Sequence, residues 1–199
     1  MLTVLRQSWP LLLGVMLFMV GNGMQGTLLG IRGGIEEFGT YEMSIVMSGY
    51  FLGFLFGSQM TPVMIRRVGH VRVFAALGSM ISAVLILYAA VPHWVAWALM
   101  RVVIGFSFSG VYITAESWLN ASSTNETRGQ ALSAYMIVQM IGIIAAQMLM
   151  NTADPAGWLL FVIPSVLVSV AFTPILLSVA PAPAFAEVQR LNFGKLFRA

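Results

Sequence analysis

Charge is scarce in this sequence. Only 9% of its 199 residues are Asp, Glu, Lys or Arg, whereas about a quarter of an ordinary soluble domain is charged. Cysteine is absent, which excludes both a disulfide framework and a thiolate metal site. The two histidines, His70 and His93, are expected on opposite membrane faces, where they cannot share a metal or an acid–base role. No phosphate loop, nucleophile elbow or metal-ligand spacing occurs, so no enzyme, cofactor or metal is implied. The pI of about 9.7 does not point to nucleic acid, because the basic residues are few and sit at the edges of apolar segments.

What the chain has in abundance is apolar length. Hydrophobic residues make up 59% of it and the mean hydropathy is +0.89, the values of an integral membrane protein. A helix needs roughly 20 mainly apolar residues to cross the hydrocarbon core. Six windows qualify, at about residues 9–31, 43–65, 72–91, 94–119, 129–150 and 157–180. All are too long for barrel strands and lack their alternation. The first exceeds the h-region of a cleaved signal peptide, which runs about 7–15 residues, and is expected to be retained as a span.

Orientation follows from Lys and Arg, which concentrate in cytoplasmic loops. With six spans, Arg6, Arg66, Arg67, Arg72, Arg128, Arg190, Lys195 and Arg198 share one side and Arg32 stands alone on the other. Both termini are therefore expected in the cytoplasm. Two regions are expected: a six-helix bundle over residues 1–180, and a basic amphipathic tail over 181–199 lying in the membrane interface.

The fourth window is the informative one. WVAWALMRVVIGFSFSGVYITAESWLN carries Arg101 a third of the way in and Glu116 near its end. At about 100° per residue, Gly105, Phe108, Tyr112 and Glu116 all fall within about 60° of Arg101 on the helix circumference. Arginine at depth costs about 2.5 kcal/mol or more, so this stripe should face the protein interior or a wet cavity. Glu116 lies about 22 Å further along the helix, too far to be its direct partner. Arg101 is then either a structural residue bonded to helix ends or a group that handles substrate or protons. Glu116 belongs at the cytoplasmic mouth, expected in an ion pair with the loops that carry Arg67, Arg72 and Arg128, a pair that would act as a gate if it broke between states.

Other polar residues in spans, Asn22, Gln25, Gln59, Gln139 and Gln147, could line a cavity or join helices. They fall on spans one, two and five, whereas spans three and six carry no residue of this kind. Span two repeats glycine at Gly49, Gly53 and Gly57, a spacing that lets another helix approach closely. Pro62, Pro164 and Pro174 are expected to kink their spans.

These features resemble the N-terminal six-helix half of the major facilitator superfamily. Members carry G-x-x-x-D-R-x-G-R-R between spans two and three. The register here reads PVMIRRVGHVR, in which Arg67 and Gly69 match, Arg72 lies one place beyond, and Pro62, Arg66, His70 and Val71 depart. A second signature, R-x-x-x-G in span four, is matched by Arg101 and Gly105. The resemblance implies an all-α membrane bundle of two inverted three-helix repeats, with spans one and four facing the cavity, span five joining them, and three and six packed outside. It implies secondary transport of a small solute by alternating access in a bacterial inner membrane. It also implies cavity roles for Asn22, Gln25, Arg101, Tyr112 and Gln139, and a cytoplasmic gate at Arg67, Gly69, Arg72, Glu116 and Arg128. A second six-helix half is then expected, from another polypeptide, from a copy of this chain, or from the remainder of a longer protein. The alternative is a non-transporting six-helix subunit docked on a larger membrane complex.

Overall fold

A computed structural model describes the backbone of residues 2–177 and the side chains of residues 8–177. The tail over 181–199 and Arg6, Arg190, Lys195 and Arg198 lie outside the described side chains. The elements are α1 (Leu2–Ile35), α2 (Thr40–Val68), α3 (His70–Ala90), α4 (Trp94–Ser122), α5 (Arg128–Leu149), α6 (Leu159–Ala171) and α7 (Thr173–Leu177). All described elements are helical, and six segments are long and apolar enough to cross a membrane, α6 and α7 forming the sixth together.

The helix ends follow local chemistry. α1 runs through Arg32, Gly33 and Gly34, residues that read as a loop in sequence, and stops only at Ile35. There Glu37 adopts a left-handed backbone with φ 58°, and Phe38 N–H donates to the Gly33 carbonyl at 2.9 Å, closing the last turn. The Glu42 carboxylate accepts from Gly39 N–H at 2.8 Å and starts α2. Between α2 and α3 a single residue, Gly69, makes the whole connection, with φ 83° and ψ 164°. That conformation is essentially closed to residues with a Cβ. His93 caps α4 by accepting from Val95 N–H. α2 and α6 remain helical through Pro62 and Pro164, while the sixth span breaks at Phe172, two residues before Pro174.

The packing has an internal symmetry. α2 packs on α4 as α5 packs on α1, α3 packs on α4 as α6 packs on α1, and α3 and α6 face each other. Exchanging the first three spans with the last three leaves this list unchanged, which is the signature of two structural repeats. The chain is thus an all-α integral membrane bundle of six spans. α1 and α4 are the helices on which the others converge, and large apolar residues such as Phe51, Leu55, Leu99, Met136 and Ile144 point outward. Such exposure suits surroundings of hydrocarbon or a further helix bundle rather than water.

Both seams are built on glycine. A Cβ on Gly49 would sit 2.8 Å from the Ala98 carbonyl, and one on Gly57 2.5 Å from that of Phe106. Gly53 lies against Val102 and Phe106, while Gly105 answers from α4 by lying against Tyr50 and Phe54. On the other seam a Cβ on Gly142 would sit 2.6 Å from the Met16 carbonyl, and one on Gly23 2.7 Å from Ala146 Cβ. The α3–α6 contact is different, being a serine cluster. Ser82 Oγ lies 2.9 Å from Ser165 Oγ and 2.7 Å from Ser169 Oγ, and Ser165 Oγ donates to the Ser82 carbonyl at 2.9 Å. Spans three and six therefore do carry polar side chains, small ones whose hydroxyls are consumed in holding the two helices together.

Substituting Gly53 or Gly142 by Leu should force a seam open and cost about 1–3 kcal/mol, lowering the thermal midpoint in detergent. Gly26→Leu is the control, because no atom lies within 4 Å of a Cβ there. Equal behaviour of the three variants would contradict the seams.

Candidate functional site

Four of the polar residues that stand out in the apolar sequence meet in one place, Arg101, Gln25, Asn22 and Tyr112. Arg101 is 7% exposed and Gln25 2%, so both are inside the bundle. Arg101 Nη1 donates to Gln25 Oε1 at 3.1 Å, Gln25 Nε2 donates to Asn22 Oδ1 at 3.0 Å, and Asn22 Nδ2 donates to the Tyr112 hydroxyl at 3.0 Å. Tyr112 in turn donates to Met19 Sδ at 3.4 Å. Each amide therefore receives from one neighbour and gives to the next. The result is a directional chain that begins at a cation on α4, runs along α1 and returns to α4.

α2 supplies what the sequence did not reveal. Arg101 Nη2 donates to Met47 Sδ at 3.3 Å, and the guanidinium carbon lies 5.1 Å from the centre of the Tyr50 ring. A thioether is a weak acceptor and a ring face a diffuse one, so neither neutralises the charge. Arg101 Nε is buried with no hydrogen-bond partner, and no carboxylate among the described residues reaches the guanidinium within salt-bridge distance. Among the described residues this buried cation thus has one amide oxygen as its only strong acceptor.

Tyr50 opens a strip of rings. Its centroid is 6.1 Å from that of Phe54, which is 6.3 Å from that of Tyr112. All three are half-buried. Met47, Tyr50 and Phe54 share one side of α2. A groove of about 410 Å³ between α2 and α4, lined by Ser44, Ser48, Leu52 and Leu99 among others, lies about 150° around α2 from them and is a separate feature.

The remaining sequence-nominated residues are placed elsewhere. Gln139 is half-buried on α5 and forms no hydrogen bond with the chain from Arg101 to Tyr112. Gln147 joins α5 to α1, donating to the Gly23 carbonyl at 2.9 Å. At the other end, Arg67, Arg72, Arg128 and Glu116 are exposed. Among the described residues Glu116 forms no ion pair with these arginines; its Oε1 accepts from the Tyr135 hydroxyl of α5 at 3.3 Å. His70, at the position where the loop signature has arginine, is buried with Nε2 3.1 Å from Ser117 Oγ. Among the described residues the ion pair that does form is on the opposite side of the bundle, Arg32 to Glu36 at 2.6 Å. Arg32 also donates to the carbonyls of Pro155 and Ala156, tying the end of α1 to the α5–α6 loop.

Two interlocked three-helix repeats with a buried arginine on α4 define a six-span helical membrane bundle. The model of the Major Facilitator Superfamily matches residues 11–196, and the chain belongs to that family of membrane transporters. The chain is 32% identical over 155 residues to the uncharacterized MFS-type transporter YcaD of Escherichia coli O45:K1 (strain S88 / ExPEC), and equally to YcaD of the O81 (strain ED1a) and O6:K15:H31 (strain 536 / UPEC) strains. The match covers 76% of this chain and 40% of each relative, so the matched segment spans less than half the length of these proteins.

Gln25→Glu should place a carboxylate against the Arg101 guanidinium and raise the thermal midpoint. Gln25→Leu should lower it by about 1–3 kcal/mol of stability through the orphaned donor. A midpoint unmoved by either change would mean that the charge is satisfied by other means.

Proposed function

We propose that this chain forms one half of a secondary transporter that moves a small solute across the membrane by alternating access. Arg101, Gln25, Asn22 and Tyr112 contribute the polar wall of the substrate path. The observation that carries this reading is the buried guanidinium with no counter-ion among the described residues. Such a charge in a membrane bundle is expensive and is expected where a substrate, an ion pathway or a water-filled cavity uses it. Membership of a transporter family and relatives named as transporters support the same conclusion.

The bundle of residues 1–180 is the unit that rocks, and the segment 181–199 is its basic cytoplasmic connector. In this reading both termini are cytoplasmic and the membrane is a bacterial inner membrane. The other cavity wall comes from a second six-helix bundle, and the exposed faces of α2 and α5 are where it docks. Gln139 on α5 stands with that wall rather than with the Arg101 chain. The loop at Gly69, with Arg67, Arg72, Arg128 and Glu116 around it, forms the cytoplasmic contact that closes and opens. Glu116 accepts from Tyr135 in the present arrangement, and an arginine joins that carboxylate when the cytoplasmic contact closes.

Two experiments test this. The mass of the protein component in mild detergent should be about twice 21.6 kDa, or correspond to the chain with one partner of similar size. Arg101→Gln should reduce solute uptake in reconstituted vesicles by roughly tenfold or more, as loss of a charged hydrogen bond implies. A large assembly of unrelated subunits with unchanged uptake would overturn the reading. Orientation can be read separately, because the chain has no cysteine. A thiol at Ser123→Cys should react only from the cytoplasmic side and one at Thr152→Cys only from outside.

A further inference from the structure

We infer that the solute accepted at Arg101 is an amphipathic organic monoanion, a single carboxylate carried on an aromatic or apolar body. This inference rests on the transporter reading and goes beyond it by assigning the chemistry of what is bound.

The anionic part follows from the state of Arg101. Its side chain is 7% exposed, its Nε has no acceptor, and its Nη2 finds only a thioether. A guanidinium presents its donors as a planar fork that fits the two oxygens of one carboxylate. The neighbouring amides cannot substitute for a carboxylate, because both are already oriented. Gln25 turns its oxygen to Arg101 and Asn22 turns its NH₂ to Tyr112. A neutral solute would leave the charge as it is, and a cation would add a second positive charge beside it.

The single charge follows from the surroundings. The other described basic side chains, Arg32, Arg66, Arg67, Arg72 and Arg128, lie at helix ends, away from this depth. A dianion or a phosphate ester would bring a charge that nothing on this wall compensates.

The body of the solute follows from the rings. From the guanidinium the half-buried rings of Tyr50, Phe54 and Tyr112 succeed one another at 5.1, 6.1 and 6.3 Å. This strip extends away from the charge as a mainly apolar surface that carries two hydroxyls, that of Tyr50 near the guanidinium and that of Tyr112 at the far end, the latter engaged by Asn22. A solute lying along it would bury a ring or alkyl body against π faces while its carboxylate accepts from the remaining Nη1 and Nη2 hydrogens of Arg101. A small hydrophilic acid would reach the charge and leave the rings unused.

The test uses the purified full chain, with any polypeptide that copurifies, titrated calorimetrically with phenylacetate, phenylacetamide, phenethylamine, acetate and succinate. Phenylacetate should bind roughly tenfold or more tightly than its amide, which lacks the charge. It should exceed acetate by a similar factor, since acetate lacks the ring. The amine and succinate should bind most weakly. Arg101→Gln should erase the preference for acid over amide, while Tyr50→Leu should narrow the gap between phenylacetate and acetate and leave acid over amide intact. If Arg101→Gln fails to fold, Gln25→Glu supplies the same information, since its own carboxylate should displace the acid without lowering the thermal midpoint.

An amide bound as tightly as the acid, or a preferred amine, would overturn the inference and leave a transporter of another solute class. No binding by any probe, together with loss of a copurifying half in Arg101→Gln, would overturn it too, by assigning the counter-ion to that half. Absence of binding with Arg101→Gln uptake unchanged would remove the transporter role of Arg101 along with it.

Discussion

Lipid tails are as apolar as leucine, so hydrophobicity cannot hold one membrane helix to another. What holds this bundle together is what lipid cannot supply: backbones brought to van der Waals contact at glycine, and hydrogen bonds between side chains with no water to turn to. The first operates where α2 crosses α4 and where α5 crosses α1. The second operates at the serine cluster between α3 and α6. The seams place α2 close enough to α4 for Met47 and Tyr50 to reach Arg101 at all. Without the missing side chain at Gly49, whose Cβ would lie 3.3 Å from that of Arg101, the guanidinium would not sit beneath the Tyr50 ring.

The two ends of the bundle are built differently from its middle. On the Arg32 side the charge is compensated locally, by Glu36 and by loop carbonyls, and the contact is structural. On the Gly69 side the arginines are exposed and Glu116 is held by a tyrosine rather than by any of them. Between them Arg101 is buried, with the Gln25 amide as its acceptor, no described carboxylate within salt-bridge distance, and the Tyr50 ring over its guanidinium.

Much of this was legible in the sequence, for identifiable reasons. Six long apolar windows fix six spans because nothing else hides that much backbone in hydrocarbon. Asn22, Gln25, Arg101 and Tyr112 were legible because a polar group on an apolar helix must find partners, and here they find one another. Met47, Tyr50 and Phe54 were not, since a thioether and two rings on an apolar helix present no contrast. Gly49, Gly53 and Gly57 announced a close approach by their spacing but not its partner. Gly142 and Gly23 make the equivalent contact as single residues and gave no pattern. The α1 terminus was not legible, because Arg32, Gly33 and Gly34 have loop composition, whereas their helical turn is sustained by the cap at Glu37 and Phe38. Glu116 was expected to pair with arginine on charge alone; Tyr135 could be brought to it only by three-dimensional packing.

The interlocking of the seams has a consequence for biogenesis. Neither glycine seam is internal to one repeat: Gly53 rests on Val102 and Phe106, and Gly23 on Ile143 and Ala146. As the chain emerges from the ribosome, α2 therefore enters the bilayer before its partner exists, and α1 must wait until the fifth span is made. The first three helices are a waiting intermediate whose glycine faces are open to any passing helix, as unpaired surfaces are in multistep folding. Completion arrives late and nearly all at once, when α4 and then α5 close the two seams.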